Sequence, residues 1–134
     1  MADYLLDSNV VSDILNDHHD VMRRLEEVID GGDNVFIPSI VYYEVVRGLK
    51  AAGKTSKLMK FQDLYQSTLH LDLDMPAVEK AIEIYMQLHK GKLIEDNDIY
   101  IAAISIVNGC TLITSNTNHF GRVEGLSFVN WRTT

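Results

Sequence analysis

The sequence predicts an α/β fold: an α/β/α sandwich around a central, mostly parallel sheet of four to five strands. Three observations carry that prediction. Short apolar runs at Tyr4 to Asp7, Val35 to Ile37, Leu69 to Leu73 and Thr111 to Thr114 alternate with segments whose apolar residues recur at helical spacing, the pattern of strands joined by helical crossovers. The stretch Ile94 to Val107, IEDNDIYIAAISIV, sets Glu95, Asp96 and Asp98 ahead of an uncharged run, and a helix apolar nearly all round is a buried one. The 134 residues suit one domain, 1–134, and a chain of this length buries roughly two thirds of its unfolded surface.

In order, Tyr4 to Asp7 reads as a buried strand ending in helix-starting chemistry at Asp7-Ser8-Asn9, with Ser8 as the expected cap. Val10, Val11, Ile14 and Leu15 give a short helix closing near Asn16. Val21, Met22, Leu25, Val28 and Ile29 give a second, from Asp20 to Asp30, stopped by Gly31-Gly32. After the strand Val35 to Ile37, Pro38-Ser39 opens a helix carrying Glu44, with Ile40, Val41, Tyr43 and Val46 as its apolar positions. Gly48 and Gly53 weaken its later turns, and Lys57 to Gln66 pairs with it as a hairpin. LHLDL, Leu69 to Leu73, alternates as a half-buried strand. Pro76 then opens a helix whose face is Val78, Ile82, Tyr85, Met86 and Leu88, ended by Gly91. Thr111 to Thr114 leads into a polar loop, Ser115 to Asn118, and a last strand lies near Ser127 to Val129.

Composition narrows the function. Hydrophobic content of 46% and 23% charge are ordinary for a soluble domain, and no apolar run approaches the roughly 20 residues of a membrane helix. MADYLLD lacks the features of a signal peptide, so a cytoplasmic protein is expected. Cys110, the only cysteine, excludes an internal disulfide and reads as a small buried hydrophobe. The five histidines have no zinc-site spacing and read as surface or partly packed side chains. A net charge of −7 argues against indiscriminate nucleic-acid binding. Against that field stands a local basic run, Arg47, Lys50, Lys54, Lys57 and Lys60, with no acid from Val45 to Gln62. It reads either as a phosphate-contacting patch or as a solvated helical face.

Asp7, Glu44 and Asp98 each sit in core-like sequence, where an ionised carboxylate is costly unless something cationic meets it. In open α/β sheets the site lies beyond the carboxyl ends of the strands. Asp7 and the Asn116 loop follow strands there, and Glu44 and Asp98 fall in early helical turns, so all four can face one crevice. An all-oxygen set suits a hard ion, Mg²⁺ or Mn²⁺. The chemistry that needs such an ion is phosphodiester hydrolysis by an activated water. Each residue also has a plainer reading: a helix cap for Asp7, Asp96 and Asp98, an ion pair with Arg47 for Glu44, and turn chemistry for Asn116.

Five segments in order, LLDSN, YYEVVRG, NDIYIAA, LITSNTNHF and RVEGLSFVNW, resemble the PIN-domain ribonucleases, and within them the VapC-type toxins of bacterial and archaeal toxin–antitoxin pairs. The resemblance covers nearly the whole chain. It implies Mg²⁺- or Mn²⁺-dependent endonucleolytic cleavage of RNA, homodimerisation and inhibition by a small VapB-like antitoxin. It matches Asp7, Glu44 and Asp98 to the family's three most regular acids. Asn116 stands where many members carry a fourth, with Asp96 a possible substitute at the metal. Two other functions compete: a degenerate PIN module that binds RNA or protein without cleaving, supported by Asn116, and an aspartate-nucleophile phosphatase. The phosphatase needs a second Asp two residues after Asp7, where this chain has Asn9.

Overall fold

A computed structural model describes residues 1–132. The elements run β1 (Asp3–Leu6), α1 (Ser8–Leu15), α2 (His19–Asp30), β2 (Asn34–Pro38), α3 (Ser39–Ala51), α4 (Thr55–Gln66), β3 (Leu69–Leu71), α5 (Met75–Leu88), α6 (Asp96–Val107), β4 (Thr111–Ile113), α7 (Thr117–Phe120) and β5 (Phe128–Val129). All five strands are parallel, in the order β3-β2-β1-β4-β5. The order follows from the crossovers. From the central β1 the chain moves outward through β2 and β3, then returns across the sheet to β4, so the direction of winding reverses between β1 and β4. A crevice opens at such a switch point, beyond the carboxyl ends of the two strands.

Helices cover both faces of a parallel sheet, so its central strands are apolar on both sides. Leu5, Leu6, Ile37, Leu112 and Ile113 are fully buried. Register is fixed by Leu5 opposite Phe36 on one side and Leu112 on the other. The helix foreseen at Ile94 to Val107 is α6, and its Ile99 and Ile101 to Ser105 are all buried. It packs along α5, and both helices contribute buried alanines, Ala77 and Ala81 from α5 and Ala102 and Ala103 from α6. Side chains that small let two helix backbones approach closely.

The structure corrects the sequence reading in several places. The buried stripe of α5 is Ala77, Ala81, Ile84 and Leu88, whereas Ile82, Tyr85 and Met86 are exposed. Two helical stripes coexist there, and small alanines carry the inward one. Tyr43 likewise points outward, and the core positions of α3 are Val41 and Val45. The third strand stops at Leu71 because it is an edge strand with Leu69 half in solvent. The loop after β4 contains a one-turn helix, α7, held by buried Phe120. Ser8 is not the cap of α1: Asp7 is, its Oδ1 accepting from the Ser8 N–H. No helix among the described residues is long and apolar enough to cross a membrane.

Candidate active site

Asp7 is placed by β1 and tied to β4, since its N–H donates to Ile113 O at 3.0 Å. Its carboxylate is only 3% exposed. Besides the Ser8 cap bond at 2.8 Å, Oδ2 accepts from the Thr114 hydroxyl at 2.8 Å and from Asn9 Nδ2 at 3.1 Å. Asn9 and Thr114 also order the loop after β4: Asn9 Oδ1 accepts from Ser115 N, and Thr114 Oγ1 from Asn116 N. Burial pushes the Asp7 carboxyl up to about 6, a rise that the Thr114 and Ser8 hydrogen bonds oppose and the charges of Asp98 and Glu44 reinforce.

Glu44 projects from α3. Its Oε2 accepts from Asn97 Nδ2 at 3.3 Å, while its Oε1 is buried with no hydrogen-bond partner. Burial raises this carboxyl too, with Asp98 and Glu95 adding to the rise and Asn97 and Arg47 opposing it. No ion pair joins Glu44 to Arg47. The guanidinium instead lies 4.8 Å over the Tyr43 ring and donates to the Tyr43 hydroxyl at 3.3 Å. Asp98 enters from the first turn of α6, and its Oδ2 lies 3.0 Å from His119 Nδ1.

Asp7, Glu44 and Asp98 therefore lie close enough for Asp98 to raise both other carboxyls and for Glu44 to raise that of Asp7. Asn116 reaches the same place indirectly, its side-chain amide 2.8 Å from His119 Nδ1. Asp96 does not join them. It is exposed on the wall of a cleft between α5 and α6, with Val78, Ile82 and Tyr100, and Glu95 is the neighbour whose charge reaches Glu44. The sequence reading missed three polar groups of this site: Asn97, Thr114 and His119. Asn97 sits inside the acidic EDND run and His119 inside LITSNTNHF, so the motifs held both, but nothing in their spacing assigns a direction to either side chain.

The chemistry of the donors fits a hard divalent cation. An orphaned buried carboxylate oxygen and two carboxyls raised by burial and mutual repulsion are penalties that one cation removes together. Among the described residues no group of three or more His, Cys, Asp or Glu side chains stands arranged to hold a metal ion.

This crevice at the switch point of a five-stranded parallel sheet can now be set beside known proteins. The PIN domain profile matches residues 4–126. The chain belongs to the PIN-domain family. Among its relatives, Ribonuclease VapC2 of Rickettsia felis is 30% identical over 96% of this chain and 97% of its own length. Ribonuclease VapC1 of Methanocaldococcus jannaschii is 33% identical over 90% of this chain and 80% of its own. VapBC2 of Rickettsia felis, solved bound to a promoter DNA fragment, superposes on this PIN domain with a TM-score of 0.86 at 28% identity, covering 96% of this chain and 98% of that one. DNA-bound VapBC of Salmonella typhimurium, at 24% identity, shares the fold with the same score, covering 98% and 99%.

Proposed function

We propose that this PIN protein is an endoribonuclease that acts as the toxin of a toxin–antitoxin pair, using Mg²⁺ or Mn²⁺ held by Asp7, Glu44 and Asp98. The observation that carries this reading is the meeting of those three acids with Glu44 Oε1 left unpartnered. Supporting it are the relatives named ribonucleases at 30% identity and above. A bound divalent cation would supply a water of lowered pKa and neutralise charge growing on a phosphate. The chain's own groups do the positioning. Thr114 and Asn9 orient the Asp7 carboxylate, and Asn97 orients Glu44, whose Oε1 is left without a hydrogen bond.

RNA has a path to this point. Beside Glu44 a groove between α1 and α3 is lined by Ser8, Ser12, Arg47 and Gly48, and a second hollow, which shares Ser12, Leu15 and Leu49 with it, is lined by Lys54 and Lys57. Phosphates lying there meet cations rather than the chain's net negative charge. Besides Arg47, whose guanidinium bonds the exposed Tyr43 hydroxyl, two members of the basic run are partly committed elsewhere: Lys57 donates to Asn16 Oδ1, and Lys60 donates to Leu15 O at 3.2 Å and Asp17 Oδ1 at 2.7 Å. Arg47, Lys50 and Lys54 carry most of the contact on this reading. The partner is a VapB-like antitoxin that lays an arginine among the acids, because its fork bridges two carboxylates. The active form is a homodimer.

The test is cleavage of RNA by purified protein with Mg²⁺ or Mn²⁺ against EDTA, for wild type and Glu44→Gln. Wild type cleaves only with the cation, and Glu44→Gln loses more than about 100-fold, beyond the usual cost of disturbing a ligand's supporting groups. Wild-type protein that binds RNA without cutting it would move the chain to the non-cleaving PIN class, for which Asn116 in place of an acid speaks.

A further inference from the structure

His119 lies on α7, outside the three acids, yet its ring makes the only side-chain hydrogen bond described for Asp98. The ring is well held. Phe120 beside it is fully buried, the Gly121 N–H donates to Thr117 O at 2.9 Å, and a Cβ at Gly121 would stand 2.9 Å from that same carbonyl. Only glycine closes the turn this tightly, at the end of the element that carries His119. The Asp98 side chain is 16% exposed and that of His119 38%, which puts the ring at the mouth of the crevice and the carboxylate behind it.

An ionised Asp98 only accepts hydrogen bonds, so the Nδ1 facing Oδ2 at 3.0 Å carries the hydrogen. A nitrogen that donates to Asp98 has no lone pair left for an amide N–H. The Asn116 side-chain nitrogen stands 2.8 Å from the same Nδ1, and a half-turn of that amide, which exchanges its nitrogen and oxygen, presents the oxygen to Nδ1–H. The ring joins α6 to the loop after β4 and occupies one oxygen of Asp98. The other oxygen, Oδ1, stays available to the crevice.

We propose that His119 is a positioning residue for Asp98: its Nδ1–H fixes Oδ2 so that Oδ1 is held toward a divalent cation. This rests on the cation-dependent reading above. Where a fourth acid would add charge, the Asn116–His119 pair adds orientation instead. Support of this kind for a metal-binding side chain is worth 10- to 100-fold in affinity.

The experiment is calorimetric titration of the full chain with Mn²⁺ alone, for wild type, His119→Ala, His119→Asn and His119→Gln, with melting in EDTA recorded for each. Asparagine carries its amide nitrogen close to where Nδ1 stands, and glutamine carries its own close to Nε2. His119→Ala is expected to weaken Mn²⁺ binding by about 10- to 100-fold. His119→Asn recovers to within a few-fold of wild type, and His119→Gln does not. In EDTA each variant is expected to melt cooperatively, which shows that it is folded before its affinity is read. His119→Ala with wild-type affinity overturns the proposal, and so does His119→Asn binding as weakly as His119→Gln, a comparison that stands even if the alanine variant fails to fold. Wild-type protein that binds no Mn²⁺ overturns the cation-dependent reading and this proposal together, whereas binding by wild type with indifferent variants removes only the role of His119.

Discussion

Asp7 caps α1, anchors the loop after β4 through Thr114, and lies among acids in a site that burial makes hostile to its charge. Its carboxyl stands near 6 in the folded chain against an ordinary 3.8, so without a cation the folded state holds this proton more tightly than the unfolded one. The sign follows: stability is lost as pH rises toward and through 6, and regained on acidification. On Asp7 alone the metal-free protein should be about 1.4 kcal/mol less stable at pH 7.5 than at pH 5, and Glu44 shifts in the same direction. Urea unfolding in EDTA at the two pH values measures it. In Asp7→Asn the pH 5 to 7.5 loss should shrink by that amount. The acids themselves were legible in the sequence, because a carboxylate inside an apolar run has to be accounted for. Their partners were not. Asn97, Thr114 and His119 are ordinary surface residue types, and their orientation depends on how α6 and α7 pack, which no local pattern encodes.

At the scale of elements, Gly48 has no conformational reason to be glycine. It lies inside α3 with helical backbone, and a Cβ there would meet nothing within 4 Å. Glycine inside a helix costs roughly 0.5–1 kcal/mol relative to alanine, and its open side faces the groove beside Glu44. On the proposed RNA path, the backbone is left bare at this point. Gly48→Ala should raise the unfolding free energy by about 0.5–1 kcal/mol, whereas Gly48→Leu should fill the groove and weaken RNA binding while Mn²⁺ affinity stays at the wild-type value. Melting curves, RNA gel shifts and Mn²⁺ titration together check this. Element positions were readable where the pattern was unambiguous, as in the 3.6-residue period of α2 and the uncharged apolar run of α6. They were misread where two stripes overlap: on α5, bulky Ile82, Tyr85 and Met86 outweigh the alanines in the sequence pattern but do not face the core. The one-turn α7 is too short to have a period.

At the scale of the whole molecule, the alternation of strands and helices sufficed for the class, and the parallel order β3-β2-β1-β4-β5 follows once β1 is central. What periodicity cannot carry is the contact between distant segments, and the end of the described chain is an example. Arg132 grips Asp13 of α1 with two bonds of 2.7 Å, and Asp13 is buried. Arg132→Ala leaves that carboxylate without its partner and should cost about 1–3 kcal/mol, read as a lower urea midpoint at unchanged slope. The central claim is likewise long-range: Asp7, Glu44 and Asp98, from three separate elements, form one cation site. Thermal melting of wild type and Glu44→Gln, each in EDTA and in Mn²⁺ at a hundred times its dissociation constant, tests it most directly. A cation bound only by the folded state adds about 2.7 kcal/mol, or on the order of 10 °C for a domain of this size. Wild type should rise by that amount, while Glu44→Gln, relieved of one buried charge, melts higher than wild type in EDTA and gains little from Mn²⁺. Equal shifts in the two proteins, or none in either, would contradict the shared site.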